Sequence, residues 1–217
     1  MRIISLLAIS LLMLSLTVLL SCKTPELSGG IIALEAGRID EAIDLFQQAR
    51  DKQPENPEVY MYLAKAYANK QMWEEAIEAL DNGEGLDPKF DEDIKLAREE
   101  LWVKIYNDFA IPVYVEHDYE TAAEYFELAS RADPTKAESF NSLGLCYGIL
   151  EKPEKAVEAF KKAVELQPDN VDFLTNLSSA YLDIGDTEKA AEILFVLAEK
   201  EPDNAEVQYK VARSLHL

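Results

Sequence analysis

Pro54, Pro88, Pro134, Pro168 and Pro202 stand 34, 46, 34 and 34 residues apart, and Ala42, Ala76, Ala122, Ala156 and Ala190 keep that spacing twelve residues upstream. A fixed period near 34 residues means one supersecondary unit copied in series, because each copy buries its apolar face against its neighbours. The expected fold is therefore a solenoid with an extended binding face.

The copy at residues 137–170 shows the unit. Phe140, Leu143, Gly144 and Tyr147 lie on one stripe of a helix, with a small residue where a second helix crosses closely. Ala156, Phe160 and Ala163 make a second stripe, and Pro168 cannot continue the helix that ends there. Between the stripes Glu151-Lys152-Pro153-Glu154 is a polar turn, with Pro153 suited to a first helical turn. The unit reads as helix, short turn, antiparallel helix.

The other copies repeat it. Residues 171–204 give Leu174, Leu177, Ser178, Tyr181, Ala190, Leu194, Leu197 and Pro202. Residues 57–90 give Tyr60, Leu63, Ala64, Tyr67, Ala76, Leu80, Gly83 and Pro88. Residues 103–136 give Tyr106, Phe109, Ala110, Val113, Ala122, Phe126, Ala129 and Pro134. These positions resemble the tetratricopeptide repeat over most of residues 28–217. The resemblance implies an all-α, right-handed superhelical solenoid of antiparallel helix pairs.

Three places depart from the pattern. The copy at about 28–56 keeps only its second half, Ala42, Phe46, Ala49 and Pro54. Gly29-Gly30 weakens its first half by roughly 1 kcal/mol per glycine. The expectation is a short, frayed helix near Ile31 to Ala36, with Asp40 capping the next. Residues 91–102, DEDIKLAREELW, are an insertion. Ile94, Ala97, Leu101, Ile105 and Phe109 carry helical spacing through it, predicting one lengthened helix that Pro112 kinks or ends. Extended to Glu116, it would be about 40 Å long at 1.5 Å per residue. Residues 205–217 read as a capping helix.

The N-terminus bears on the compartment. Arg2 precedes an apolar run from Ile3 to Leu20, the pattern of a secretory signal. The ending Leu19-Leu20-Ser21-Cys22 resembles the lipobox of bacterial lipoproteins. That resemblance implies removal of residues 1–21 and acylation of Cys22. Residues 22–27 then form a short tether that keeps the repeats near the bilayer. Lys23 after the cysteine, rather than aspartate, points to the outer membrane, facing the periplasm. With Cys22 lipidated, Cys146 has no disulfide partner and reads as a small buried thiol.

The chain has 21 Lys and Arg against 41 Asp and Glu, a net charge of −20. Losing Arg2 leaves 20 against 41, a net of −21. No basic stripe exists to follow a phosphate backbone, so nucleic acid is excluded as a partner. His117 and His216 stand far apart, in no metal-ligand spacing. There is no glycine-rich phosphate loop and no serine elbow. The expectation is no enzyme activity, no metal and no cofactor. Trp73 and Trp102 read as core aromatics.

In the resembled fold the first helix of each repeat lines an inner groove. Carried to this sequence, the groove residues are Met61 and Lys65, then Lys104, Asn107 and Ile111, then Asn141 and Leu145, then Thr175 and Ser179. Asn107, Asn141 and Thr175 are equivalent on the 34-residue ruler and could hydrogen-bond an extended peptide. Chaperone-binding relatives clamp a carboxylate with a basic cluster. Here Glu138, Asp172 and Glu206 stand at groove-starting positions, which suits neutral or basic segments instead.

The resulting expectation is a lipid-anchored interaction scaffold or assembly factor of the bacterial cell envelope, a monomer or small assembly. It is similar to tetratricopeptide lipoproteins that help assemble barrel proteins, pili or secretion complexes. Two other readings stay open: an accessory ligand-binding subunit of an envelope transporter, and a surface-exposed structural lipoprotein. A closed ligand-sized channel would favour the first, and protease accessibility on intact cells the second.

Overall fold

The computed structural model describes residues 23–214, and among these residues there is no strand. The apolar N-terminal segment, Cys22 and His216 lie outside the described residues. The chain divides into two compact units, one ending at Ile94 and the other beginning at Lys95. The first unit holds two helix pairs: α1 (Pro25–Glu35) with α2 (Ile39–Lys52), and α3 (Pro57–Asn69) with α4 (Trp73–Gly83). A 3-10 turn, Pro88–Phe90, then leads into α5 (Asp91–Val103).

In the second unit α5 runs on through a π-helical stretch, Lys104–Ala110, into α6 (Ile111–Val115), and these pack against α7 (Tyr119–Ala132). Two further pairs follow: α8 (Ala137–Ile149) with α9 (Pro153–Leu166), and α10 (Val171–Asp183) with α11 (Thr187–Lys200). The last helix, α12 (Ala205–Ser214), packs on α11.

The sequence ruler has a physical meaning at each mark. Ala42, Ala76, Ala122 and Ala190 are 0% exposed and Ala156 is 1% exposed, so these alanines form the tightest row of the second helices. Four residues on, Phe46, Leu80, Phe126, Phe160 and Leu194 are all buried. The ruler prolines are exposed. Pro54, Pro134, Pro168 and Pro202 each stand two residues past a helix end and Pro88 opens the 3-10 turn, while the alanines fill the interior.

Large side chains on second helices meet small residues on first helices. The Phe46 ring lies against Gly30, and the Phe160 ring against Gly144. A Cβ at Gly144 would stand 2.6 Å from Phe160 Cε1, closer than packed atoms tolerate. Phe126 shares a buried cluster with Ala110. Gly30, Ala64, Ala110, Gly144 and Ser178 are ruler-equivalent, and all are buried.

The turn inside each pair also repeats. Gly37, Gln71, His117, Glu151 and Gly185 all have left-handed φ, between 54° and 78°, and they too are ruler-equivalent. The residue after each donates its N–H to a carbonyl five residues back: Arg38 to Ala33, Met72 to Tyr67, Asp118 to Val113, Lys152 to Tyr147, and Asp186 to Tyr181. This hydrogen bond closes the end of a helix whose last carbonyls have no helical partner. Asp118 and Asp186 then cap the following helices through their side chains.

The first pair is whole, contrary to the expected frayed opening. α1 starts at Pro25, not near Ile31, because Thr24 Oγ1 accepts the Leu27 N–H at 3.2 Å and Pro25 is preset for a first turn. Gly30 is not a weak point but the small residue that Phe46 requires. Residues 25–27, expected to belong to a tether, form the first turn of α1. Asp40 does not cap α2: Arg38 holds that position, and Asp40 pairs with Lys70.

The inserted segment is helical as expected, and Pro112 does not end it early. The Ile111 N–H bonds to the Tyr106 carbonyl, a five-residue step that widens the turn just before Pro112. A wider turn accommodates the proline ring and needs no N–H from it. The helix then continues to Val115.

Two glycines on α8 should respond oppositely to substitution. Gly144 faces the Phe160 ring, whereas a Cβ at Gly148 meets nothing within 4 Å. Gly144→Val is expected to cost about 1–3 kcal/mol by overpacking. Gly148→Ala is expected to stabilise by about 0.5 kcal/mol through helix propensity. Urea unfolding of both variants measures the contrast.

Candidate functional site

A cleft of about 490 Å³ lies in the second unit between α8, α9 and α10. Leu145, Gly148 and Ile149 form one wall, and Asn176, Ser179 and Asp183 form the other. Phe160 and Ala156 of α9 contribute to its lining, as does Glu151 of the left-handed turn. Gly148 is why there is space: four residues earlier Gly144 is filled by the Phe160 ring, but no side chain fills the room at Gly148. Ile149 is 47% exposed, so an apolar surface faces solvent there.

Two of the expected groove residues, Leu145 and Ser179, line this cleft. Asn141 is half-buried on the same helix as Leu145, and its Oδ1 accepts a hydrogen bond from Asn176 Nδ2 at 2.9 Å. That bond ties α8 to α10. Thr175 is half-buried, and its carbonyl accepts the Ser178 hydroxyl at 2.9 Å. Asn107 is exposed within the π-helical stretch. Lys104, in the same stretch, is half-buried. Ile111 is half-buried and packs against the buried cluster around Phe126. Met61 and Lys65 belong to the first unit, half-buried and exposed respectively.

Beyond Lys95 the inserted helix α5 is fastened to the second unit. Trp102 Nε1 donates to the fully buried Ser139 Oγ at 2.7 Å, and Trp102 stacks on Tyr106 with ring centroids 5.1 Å apart. Arg98 donates to the Ala132 carbonyl at 3.2 Å. Lys136 bonds Glu99 at 2.7 Å and lies 5.1 Å from the Trp102 ring centre. That bond, more than its other charged neighbours, raises the Lys136 pKa. Trp73 is buried at the start of α4.

Sequence reasoning missed Gly148, Ile149, Glu151, Asn176 and Asp183 as cleft residues. The available signal was Gly148, a helical glycine off the ruler of small positions. The cleft offers an apolar wall, amide and hydroxyl groups, and two carboxylates at Glu151 and Asp183 that favour a cation. Among the described residues no group of three or more His, Cys, Asp or Glu could hold a metal ion. No described helix is long and apolar enough to cross a membrane.

Family models for the tetratricopeptide repeat match residues 33–101 and 150–213, and a second such model matches 114–170. No curated protein matches the chain. Among solved structures, a thermophilic TPR protein of Thermus thermophilus is 23% identical, with 90% of this chain and 100% of that one covered and a TM-score of 0.41. The TPR domain of P58(IPK) is 17% identical over 88% of this chain and 64% of that one, with a TM-score of 0.51. The second TPR domain of human RPAP3, solved with an HSP70 peptide, is 18% identical over 53% of this chain and 96% of that one, with a TM-score of 0.49.

Cys146, on the core side of α8, is fully buried in the cluster of Ala110, Phe126 and Leu143. Burial pushes its thiol from an ordinary 9.0 up to about 12. Above pH 9 the unfolded chain therefore loses this proton while the folded chain keeps it. The stabilisation is complete below pH 9 and is lost as pH rises toward about 12. Denaturation between pH 8 and 11 should show the native chain losing stability faster than Cys146→Ala, and native Cys146 should resist alkylation at pH 8.

Proposed function

The chain belongs to the tetratricopeptide-repeat family, and from that premise we propose that it is a lipid-anchored protein-interaction scaffold, an assembly factor of the bacterial cell envelope. The observation that carries the interaction role is the cleft between α8, α9 and α10. An apolar partner side chain fits against Leu145 and Ile149. A lysine or arginine beside it fits Glu151 and Asp183, and Asn176 and Ser179 meet its backbone. The net charge of −20 supports a partner of neutral or basic surface, whose association weakens with salt. Solvent-facing Ile149 favours an open protein-binding face over a closed channel for a small ligand.

The anchoring rests on Leu19-Leu20-Ser21-Cys22. Acylated Cys22 would hold the protein at the membrane through several chains, at about 0.8 kcal/mol per buried methylene. Lys23 in the next position supports the outer membrane as its destination, with the repeats in the periplasm. Repeat proteins of this kind act by positioning other proteins, and the cleft residues supply binding groups rather than a nucleophile with its base.

In-cell photo-crosslinking tests the reading. A photoreactive residue at Ile149 is expected to give a discrete protein adduct, while one at exposed Lys161 on α9 gives none. Equal adducts from both positions, or none from Ile149, would remove the cleft as the binding site.

A further inference from the structure

The start of the described chain is held in place rather than free. Thr24 caps α1, and Lys23 Nζ lies 2.6 Å from Glu58 Oε1 at the beginning of α3. Lys23 also stands 5.8 Å from the centre of the Tyr62 ring. Beside it, Lys52 at the end of α2 bonds Glu26 at 2.5 Å. The start of α1, the end of α2 and the start of α3 therefore share one edge of the first unit, bounded by the turn at Gln53–Asn56.

We propose that this edge rests in the phospholipid headgroup layer, with α1 leading away from the bilayer. The proposal depends on the lipoprotein reading of Cys22 given above. Only Lys23 separates Cys22 from the cap of α1. Two extended residues reach roughly 7 Å, so Thr24 cannot stand farther than that from the acylated residue. The headgroup layer on each side of a bilayer is about 5–7 Å deep, so the reach of the chain ends inside or just above it. With Lys23 paired to Glu58, even this short link has little freedom to swing.

The charges on the edge refine the prediction. Lys23 and Lys52 each already face a carboxylate, Glu58 and Glu26. The edge therefore has no cationic patch for anionic lipid, and its placement comes from the acyl chains and the short link. Anionic lipid content should not change it. The opposite end of α1, at exposed Ala36, lies about 16 Å away along the helix.

The test uses the acylated protein isolated from membranes and placed in phosphatidylcholine vesicles carrying a headgroup spin-labelled lipid. Fluorophores go on Glu55→Cys, exposed near the anchored edge, and on Ala36→Cys at the far end, in separate variants. Buried Cys146 stays unlabelled. Quenching is expected to be several-fold greater at position 55 than at 36, and unchanged when a third of the lipid is replaced by phosphatidylglycerol. A Gly/Ser spacer of about 20 residues between Cys22 and Lys23, with a reach of roughly 25 Å, should abolish the contrast. Equal quenching at both positions without the spacer, or greater quenching at 36, would overturn the edge placement alone. Mass spectrometry showing unmodified Cys22 would overturn the anchoring and the edge placement together.

Discussion

The fold depends on a contact that recurs between paired helices: a large side chain on the second helix set against a small residue on the first. Phe46 on Gly30 and Phe160 on Gly144 are its plainest cases. A larger residue on the first helix would push the two helices apart, and a smaller one on the second would leave a void, so each partner constrains the other. Around this contact the ruler alanines let neighbouring helices approach, and the left-handed turn returns the chain for the next pairing. The cleft between α8, α9 and α10 is a local relaxation of the same rule. At Gly148 the small residue is present but nothing comes down to fill it.

The all-helical repeat architecture was legible because its marks are few and chemically uniform. Alanine at the tightest crossings and proline at the surface breaks cannot be exchanged freely, so their spacing survives in the sequence. The left-handed turn was not legible, although it recurs on the same ruler. Gly37, Gln71, His117, Glu151 and Gly185 share a backbone conformation and no side-chain class. The first pair misleads for a related reason. Gly29-Gly30 has low helix propensity, but close packing against Phe46 and the Thr24 cap outweigh that local cost. The π-turn before Pro112 was hidden because it leaves the helical spacing of apolar residues nearly intact.

The candidate site was half-legible. The ruler placed Leu145 and Ser179 on a common face, and both line the cleft. It did not reveal that Asn141 is engaged by Asn176, since that bond joins ruler positions one residue out of step. Spacing locates a helix face, whereas the shape of a cleft depends on which side chains leave space. Trp102 marks the same difference. It is a core aromatic as its type suggests, but its hydrogen bond to Ser139 shows that the inserted helix is built into the second unit.

If stability is assembled from such local contacts between paired helices, the loss of one should be felt mainly by adjoining helices. Segment-resolved native-state hydrogen exchange on Phe160→Ala tests this most directly. The account predicts lost protection across α8, α9 and α10, with helices α1 to α4 of the first unit unchanged. A uniform loss of protection that includes α1 to α4 would contradict it.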